Sequence, residues 1–336
     1  MNPEASRRLF DASGAFDHRV TVWIVAGVAG LLVGAVLLIL LLRLMRRVKP
    51  EMFRELMFRC ATWAVLAALI VGPILLGAAW TIGMVCLLSL ACYAEYVRVM
   101  GARQERLMNA VVFVWILLVT FTIFDHWYGF FLALFPLGVV IIAVTALCAD
   151  RPQGYIRRVS LAILGFMLVG CALGHLGYMA NDKNYRPMML LLFLAVGLND
   201  VFAFVCGKTF GRRRLAPNTS PNKTIAGSVG ALVLTSLLVA FLGKPIFLGT
   251  DLNHPLRLGV LGLVVSVCGQ LGDLVMSSIK RDLGVKDTGS ILPGHGGLLD
   301  RFNSMLLAAP AFFHYVGYFV GFGLDQPTFI FTGPHP

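Results

Sequence analysis

The sequence predicts an all-α fold, a polytopic integral membrane bundle of about ten transmembrane helices. Of its 336 residues, 58% are hydrophobic and only 13% are charged, and the mean hydropathy is +0.81. Soluble domains contain roughly twice this share of charged residues. The apolar residues are also gathered into runs of about 20, the length that crosses a bilayer as a helix.

Ten segments have this length. They cover residues 20–42, 58–77, 79–97, 107–124, 128–148, 159–180, 188–206, 226–243, 255–277 and 304–324. The second and third are divided at Gly77, because about 40 residues are too many for one span. We expect an N-terminal anchor helix with a basic linker (1–56), an N-terminal membrane bundle (57–186) and a C-terminal catalytic membrane domain (187–336). The first segment is expected to stay as an anchor, because a polar stretch precedes it.

The distribution of Lys and Arg predicts the orientation. Most of the 28 cationic residues fall in loops on one side. The other side keeps Arg7, Arg8, Arg19, Lys183, Arg186, Lys244 and Arg257. Cationic loops stay in the cytoplasm, so we expect both termini outside a cell (inner) membrane and loops 207–225 and 278–303 in the cytoplasm. This placement also explains the net charge of +11, and we expect no nucleic-acid partner.

The last of these loops and the helix end before it, residues 272–303, concentrate charge in an apolar chain. Its ionisable residues are Asp273, Lys280, Arg281, Asp282, Lys286, Asp287, His295, Asp300 and Arg301. Carboxylates suit hard divalent cations, and Lys and Arg suit phosphate oxygens. Glycines between them allow backbone N–H groups to approach an anion. The composition therefore favours a site where metal ions and phosphates meet.

The order of these residues is more specific than their composition. The run contains Ser278, Lys280-Arg281, Lys286-Asp287, Gly289, Leu292-Pro293, His295-Gly296-Gly297 and Asp300-Arg301. It resembles the signature of the phosphatidate cytidylyltransferase (CDP-diacylglycerol synthase) family. A second block resembles the same family: Asn199-Asp200, Gly207-Lys208, three arginines and Ser220-Pro221-Asn222-Lys223-Thr224. The resemblance runs from about Asp200 to the end, with weaker support from Glu95.

The resemblance implies an activity and its partners. The expected reaction transfers a cytidylyl group from CTP to phosphatidic acid, giving CDP-diacylglycerol and pyrophosphate. The implied cofactors are Mg²⁺ and a second, monovalent metal such as K⁺, and the implied assembly is a homodimer in the lipid bilayer. The metal candidates are Asp273, Asp300, Asp287 and Asp200. Asp273 is also a functional candidate because it is predicted inside a membrane helix.

The remaining candidates are polar groups able to meet phosphates. We expect Lys280, Arg281, Lys286, Arg301 and His295 to act in catalysis, and Ser220, Lys223, Thr224 and Ser277 to bind substrate. Asp273, Ser277 and Lys280 share one helix face. Asp287 is equally compatible with a solvated pair with Lys286, and His295 with a loop-holding role. The ordinary orientation signal explains Arg212, Arg213 and Arg214 better. His126, His175 and His314 favour interhelical hydrogen bonds over metal binding.

Two departures from the family pattern leave alternatives open. Family members usually carry Glu where this chain has Met276 and Asp where it has Asn303. A diverged paralog, inactive or acting on another lipid phosphate, is therefore one rival. A secondary transporter is the other, although its charged groups would be expected in paired repeats near the midplane.

The orientation gives a labelling prediction. In a variant without reactive native cysteines, single cysteines near Pro217 and Ser290 should resist an impermeant thiol reagent in intact cells. A cysteine near Asn184 should react, because its loop is expected outside. Labelling of the first two positions from outside would contradict the orientation.

Overall fold

The computed structural model describes residues 9–289, 296–321 and 329–332. Within them, nine helices are long and apolar enough to cross a membrane. The tenth predicted segment also forms a helix, of 16 residues. The prediction of a polytopic helical membrane bundle is confirmed.

The second helix begins eight residues before its predicted start, and the other predicted helices begin and end within five residues of the predicted limits. The helices are α1 Arg19–Leu44, α2 Pro50–Leu76, α3 Ala78–Val99, α4 Arg106–Phe124, α5 Tyr128–Leu147, α6 Tyr155–Met179, α7 Tyr185–Phe210, α8 Ile225–Ile246, α9 Pro255–Asp282, α10 Leu298–Phe302 and α11 Met305–Val320. Two 3-10 turns, Ser13–Phe16 and Ala102–Gln104, and a π-helical stretch within α6, Phe166–Cys171, complete the helical structure of the described residues.

One loop contains β structure that the sequence did not predict. Strands β1, Arg214–Ala216, and β2, Ser220–Thr224, form an antiparallel hairpin in which Ala216 faces Ser220. The short hairpin lies between α7 and α8. It lies within the loop expected over 207–225 and gives Lys223 a fixed backbone.

The C-terminal half of the bundle holds the charged loops. Helix α8 packs against α7 and α9, and α9 packs against α11. Helices α1 and α2 lie at the edge, where only 11% of their most apolar window is buried by protein. Their outward apolar side chains are suited to lipid contact.

A buried polar network joins α7, α8 and α9 within the apolar core. The Asn199 side-chain oxygen accepts hydrogen bonds from the Thr235 hydroxyl, at 3.1 Å, and from the Ser266 hydroxyl. The Gln270 amide donates to Ser266 Oγ at 3.2 Å, and the Ser228 hydroxyl donates to Gln270. Polar side chains of this kind link helices where no water competes.

The expected role of two histidines is confirmed. His175 Nε2 lies 3.2 Å from His314 Nε2 and joins α6 to α11. His175 Nδ1 lies 2.8 Å from the Cys171 carbonyl oxygen, so it is the nitrogen that donates there and its Nε2 accepts.

The crossing of α8 and α9 depends on a glycine. A Cβ on Gly262 would lie 2.5 Å from Ser236 Cα and 3.0 Å from the Thr235 carbonyl oxygen. Both are backbone atoms of α8, so they cannot move without separating the helices. A Cβ on Gly259, one turn earlier, would meet nothing within 4 Å.

We therefore predict that Gly262→Ala destabilises the protein by about 1–3 kcal/mol, the usual cost of overpacking. Gly259→Ala is the matched control and should be neutral or slightly stabilising, because Ala favours helices. Thermal unfolding in detergent measures both. Equal midpoints for the two variants would contradict the close crossing.

Candidate active site

Lys223 is positioned by the join between β2 and α8. Thr224, the next residue, is the N-cap of α8, and its hydroxyl accepts a hydrogen bond from the Gly227 N–H at 3.1 Å. A Cβ on Gly207 or Gly211 would lie within 2.8 Å of the same hydroxyl. The Thr224 hydroxyl, expected to bind substrate, is thus enclosed between α7 and α8, where it fixes the direction of Lys223.

Lys223 is the centre of a first group of side chains, here called the Lys223 cluster: Lys223, Asp200, Asp273 and Asn303. Lys223 Nζ lies 2.5 Å from Asp273 Oδ2, and the Asn303 amide donates to Asp273 Oδ1 at 2.6 Å. Asp200 interacts electrostatically with both Asp273 and Lys223. The cluster brings together four chain segments, which the sequence placed in two separate blocks.

A second group, the Lys280 cluster, consists of Lys280, Asp300, Thr288 and Gly297. Lys280 Nζ lies 2.7 Å from Asp300 Oδ1. Asp300 Oδ2 accepts from the Thr288 N–H at 2.8 Å, the Thr288 hydroxyl at 3.0 Å and the Gly297 N–H at 3.0 Å. Lys280, which the sequence suggested as a phosphate clamp, is buried in this pair.

Helix α10 and the residue after it connect the two clusters. Asp273 and Lys280 are two turns apart on α9, roughly 10 Å along its axis. Asp300 reaches Lys280, and Asn303 reaches Asp273. A Cβ on Gly272 would lie 2.6 Å from the Asn303 carbonyl oxygen, so the chain after α10 lies directly against α9.

Glu95 holds this arrangement from the N-terminal bundle. Its Oε2 accepts from the Leu299 N–H at 2.7 Å. A Cβ on Gly289 or Gly297 would lie within 2.2 Å of Oε1. Oε1 is buried without a hydrogen-bond partner in the described part of the chain. An ionisable residue in a predicted span was the signal for a functional role of Glu95. The sequence did not predict its partner, Leu299, which lies 204 positions away.

The other predicted site residues lie around the clusters and differ in their contacts and in their exposure to solvent. Arg281 Nε donates to the Thr219 carbonyl oxygen at 3.3 Å and ties the hairpin to the end of α9. Lys286, Asp287 and Arg301 are exposed, and Ser220 and Ser277 are partly exposed. His295 lies outside the described residues.

The hydrogen bonds at Asp300 determine its ionisation. Burial alone would raise the pKa of this carboxyl. The hydrogen bonds from Lys280 and from the Thr288 and Gly297 N–H groups outweigh burial and hold the pKa below its ordinary value. Asp300 is therefore charged at neutral pH and neutralised by Lys280.

The carboxylates of the two clusters contact cations and hydrogen-bond donors of this chain. Across residues 9–289, 296–321 and 329–332, no three His, Cys, Asp or Glu side chains form a group that could hold a metal ion. Asp273 Oδ1 accepts from Asn303 and its Oδ2 lies 2.5 Å from Lys223 Nζ, while both oxygens of Asp300 accept hydrogen bonds. Asp287 is different, because it is exposed and pairs with no described residue, although it lies beside Asp300 near Gly296.

Comparison with known proteins decides the family. Residues 57–319 match the sequence model of the cytidylyltransferase family. This chain belongs to the cytidylyltransferase family. The protein is accordingly a nucleotidyltransferase enzyme. The alternative hypothesis of a secondary transporter is rejected.

Several relatives resemble this cytidylyltransferase. It is 32% identical over 271 residues to the uncharacterized protein YnbB of Escherichia coli (strain K12), a match that covers 79% of this chain and 88% of YnbB. It is 41% identical over 157 residues to the phosphatidate cytidylyltransferases of Staphylococcus haemolyticus (strain JCSC1435) and Staphylococcus aureus (strain COL). These two matches cover 46% of this chain and 59% of each relative.

The Lys280 cluster gives a stability prediction. Asp300→Asn should lower the free energy of unfolding by about 3 kcal/mol near neutral pH, because it leaves Lys280 buried without its counter-ion. The lowered pKa of Asp300 means that its stabilising effect is complete above about pH 5. It should fall as the pH drops below about 4, the ordinary Asp value.

Thermal unfolding of both proteins across this pH range measures the difference. Asp287→Asn is the matched control, since its exposed carboxylate has no described partner, and it should change stability little. A difference between wild type and Asp300→Asn that grew on acidification would contradict the assignment.

Proposed function

We propose that this enzyme transfers the cytidylyl group of CTP to phosphatidic acid, giving CDP-diacylglycerol and pyrophosphate. The observation that carries the proposal is the convergence of the two sequence blocks at the ends of membrane helices. Lys223, Lys280 and Arg281 meet there with the carboxylates of α9 and α10. The Staphylococcus relatives named phosphatidate cytidylyltransferase support the choice of substrate.

The proposed step is a substitution at the α-phosphorus of CTP. A phosphate oxygen of the lipid forms the new bond to that phosphorus, the bond to the bridging oxygen of the β-phosphate breaks, and pyrophosphate leaves. The lipid phosphate is already anionic at neutral pH, so no strong general base is needed. Positioning and charge neutralisation of two polyanions supply most of the rate.

Lys223 is the residue best placed to meet a phosphate. Its ammonium has three N–H donors, and Asp273 is its only ion-pair partner among the described residues. It directly precedes the N-terminus of the 22-residue helix α8, where the helix dipole adds a partial positive charge. Asp273 holds this cation in place, so the two residues act together in binding.

Several further features belong to the same proposal. Mg²⁺ would arrive with CTP and neutralise phosphate charge, and the exposed Asp287 is the carboxylate best able to reach it. A monovalent ion such as K⁺ and a homodimer remain expectations from the family resemblance. We place the site on the cytoplasmic side of the cell (inner) membrane, where the cationic loops favour it.

The test of function uses the purified full-length protein in detergent with labelled CTP, phosphatidic acid and Mg²⁺. We expect a labelled nucleotide-lipid product. Lys223→Gln should lower turnover roughly 100-fold, because it removes a cation from the reacting phosphates.

Arg212→Gln is the matched control, because Arg212 is an exposed cation of the same loop with no proposed role. It should retain near-wild-type turnover. Absence of product with phosphatidic acid, but product with another lipid phosphate, would favour the diverged paralog. Full activity of Lys223→Gln would refute the role of this residue.

A further inference from the structure

The amide of Asn303 has a fixed orientation. Its Oδ1 accepts from the Ser304 N–H at 2.7 Å, which assigns the opposite side of the amide as the donor. This donor, Nδ2, points at Asp273 Oδ1 at 2.6 Å. Asn303 is only 8% exposed, so water competes little for either bond.

The Lys223 cluster has one more carboxylate than ammonium, and because residue 303 is an amide the excess does not rise to two. Asp200 and Asp273 contribute two carboxylates, and Lys223 contributes one ammonium. A carboxylate at position 303 would lie against Asp273 at hydrogen-bond distance. Two carboxylates so close cannot both be ionised unless a cation or a proton lies between them. With the neutral amide of Asn303 at this position, no additional cation or proton is needed beside Asp273.

We infer that Asn303 makes Lys223, and not a divalent cation, the counter-ion of Asp273. The amide donates to one oxygen of Asp273, and the ammonium lies 2.5 Å from the other. A divalent cation bound to Asp273 would therefore lie beside the Lys223 ammonium and be repelled by it. Asn303 is thereby a positioning residue that keeps Lys223 at the place where the proposed function requires a phosphate-binding cation. Divalent ions then enter this part of the site only with the nucleotide.

The test needs no substrate, so its failure is distinguishable from failure of the proposed function. Purified full-length protein in detergent, without nucleotide, is titrated with Mg²⁺ while its thermal unfolding midpoint is followed. Wild type and Asp273→Asn should give the same shift with Mg²⁺. Asn303→Asp should unfold at a lower temperature in chelator and recover on addition of Mg²⁺. This recovery should be half complete at a Mg²⁺ concentration roughly tenfold below the one that gives the shift common to wild type and Asp273→Asn, the scale by which changes around a metal site alter affinity.

Two controls complete the design. The double variant Asp273→Asn/Asn303→Asp should lose the recovery, because only one carboxylate of the pair remains. Asn181→Asp makes the same chemical change at another buried amide, whose Nδ2 donates to the Ile123 carbonyl oxygen at 2.9 Å. It should destabilise the protein, and Mg²⁺ should not restore it.

Two outcomes would overturn the inference. A wild-type response to Mg²⁺ that disappears in Asp273→Asn would make Asp273 a metal ligand. An Asn303→Asp variant that responds to Mg²⁺ as wild type does would show that residue 303 does not determine whether Asp273 needs a divalent counter-ion. If Asn303→Asp fails to fold, the comparison of wild type with Asp273→Asn decides alone.

Discussion

Neutralisation of Asp273 is the constraint on which the rest of the site depends. This carboxylate lies on α9 well before its end, where an uncompensated charge is costly. Its partners come from outside the helix, Lys223 from the hairpin and Asn303 from the residue after α10. Both segments must fold back onto α9 to supply them, so neutralising one charge assembles the binding surface. The proposed function rests on the same contacts, because Lys223 is both the counter-ion of Asp273 and the proposed phosphate-binding cation.

The second ion pair extends this principle to the loop between α9 and α10. Asp300 accepts from Lys280 and from backbone N–H groups at both described ends of the loop. Glu95 adds a contact from the N-terminal bundle to the first turn of α10. Small residues permit this density, since a Cβ at Gly289 or Gly297 would overlap the Glu95 carboxylate. The two described ends of the loop are therefore held by charge and by close backbone approach, not by apolar packing alone.

The sequence predicted the features that depend on a single property, such as the hydropathy of a membrane span. Hydropathy alone predicted all nine candidate spans of the described residues, because each must meet the same bilayer thickness. The tenth predicted segment forms a shorter helix of 16 residues. The shared side of the two loops agrees with the contact between Arg281 and Thr219. Prediction was weaker where partners are distant in sequence. The sequence did not predict that Lys280 pairs with Asp300, and it showed Asn303 only as a lost carboxylate. The hairpin was missed because two strands of three and five residues carry little periodic signal.

The buried polar network explains how such short ionic contacts keep their geometry. Asn199 bonds to Ser266 on α9, and the next residue, Asp200, interacts with Asp273, about two turns further along α9. Each interhelical hydrogen bond contributes only about 0.6 kcal/mol, so the network adds modest stability. Its larger effect is on register, because a slip of α9 along α7 and α8 would break the bond of Ser266 to Asn199 and that of Gln270 to Ser228 together. The network thus fixes the depth of Asp273 relative to Asp200 and, through it, the position at which Lys223 presents its charge.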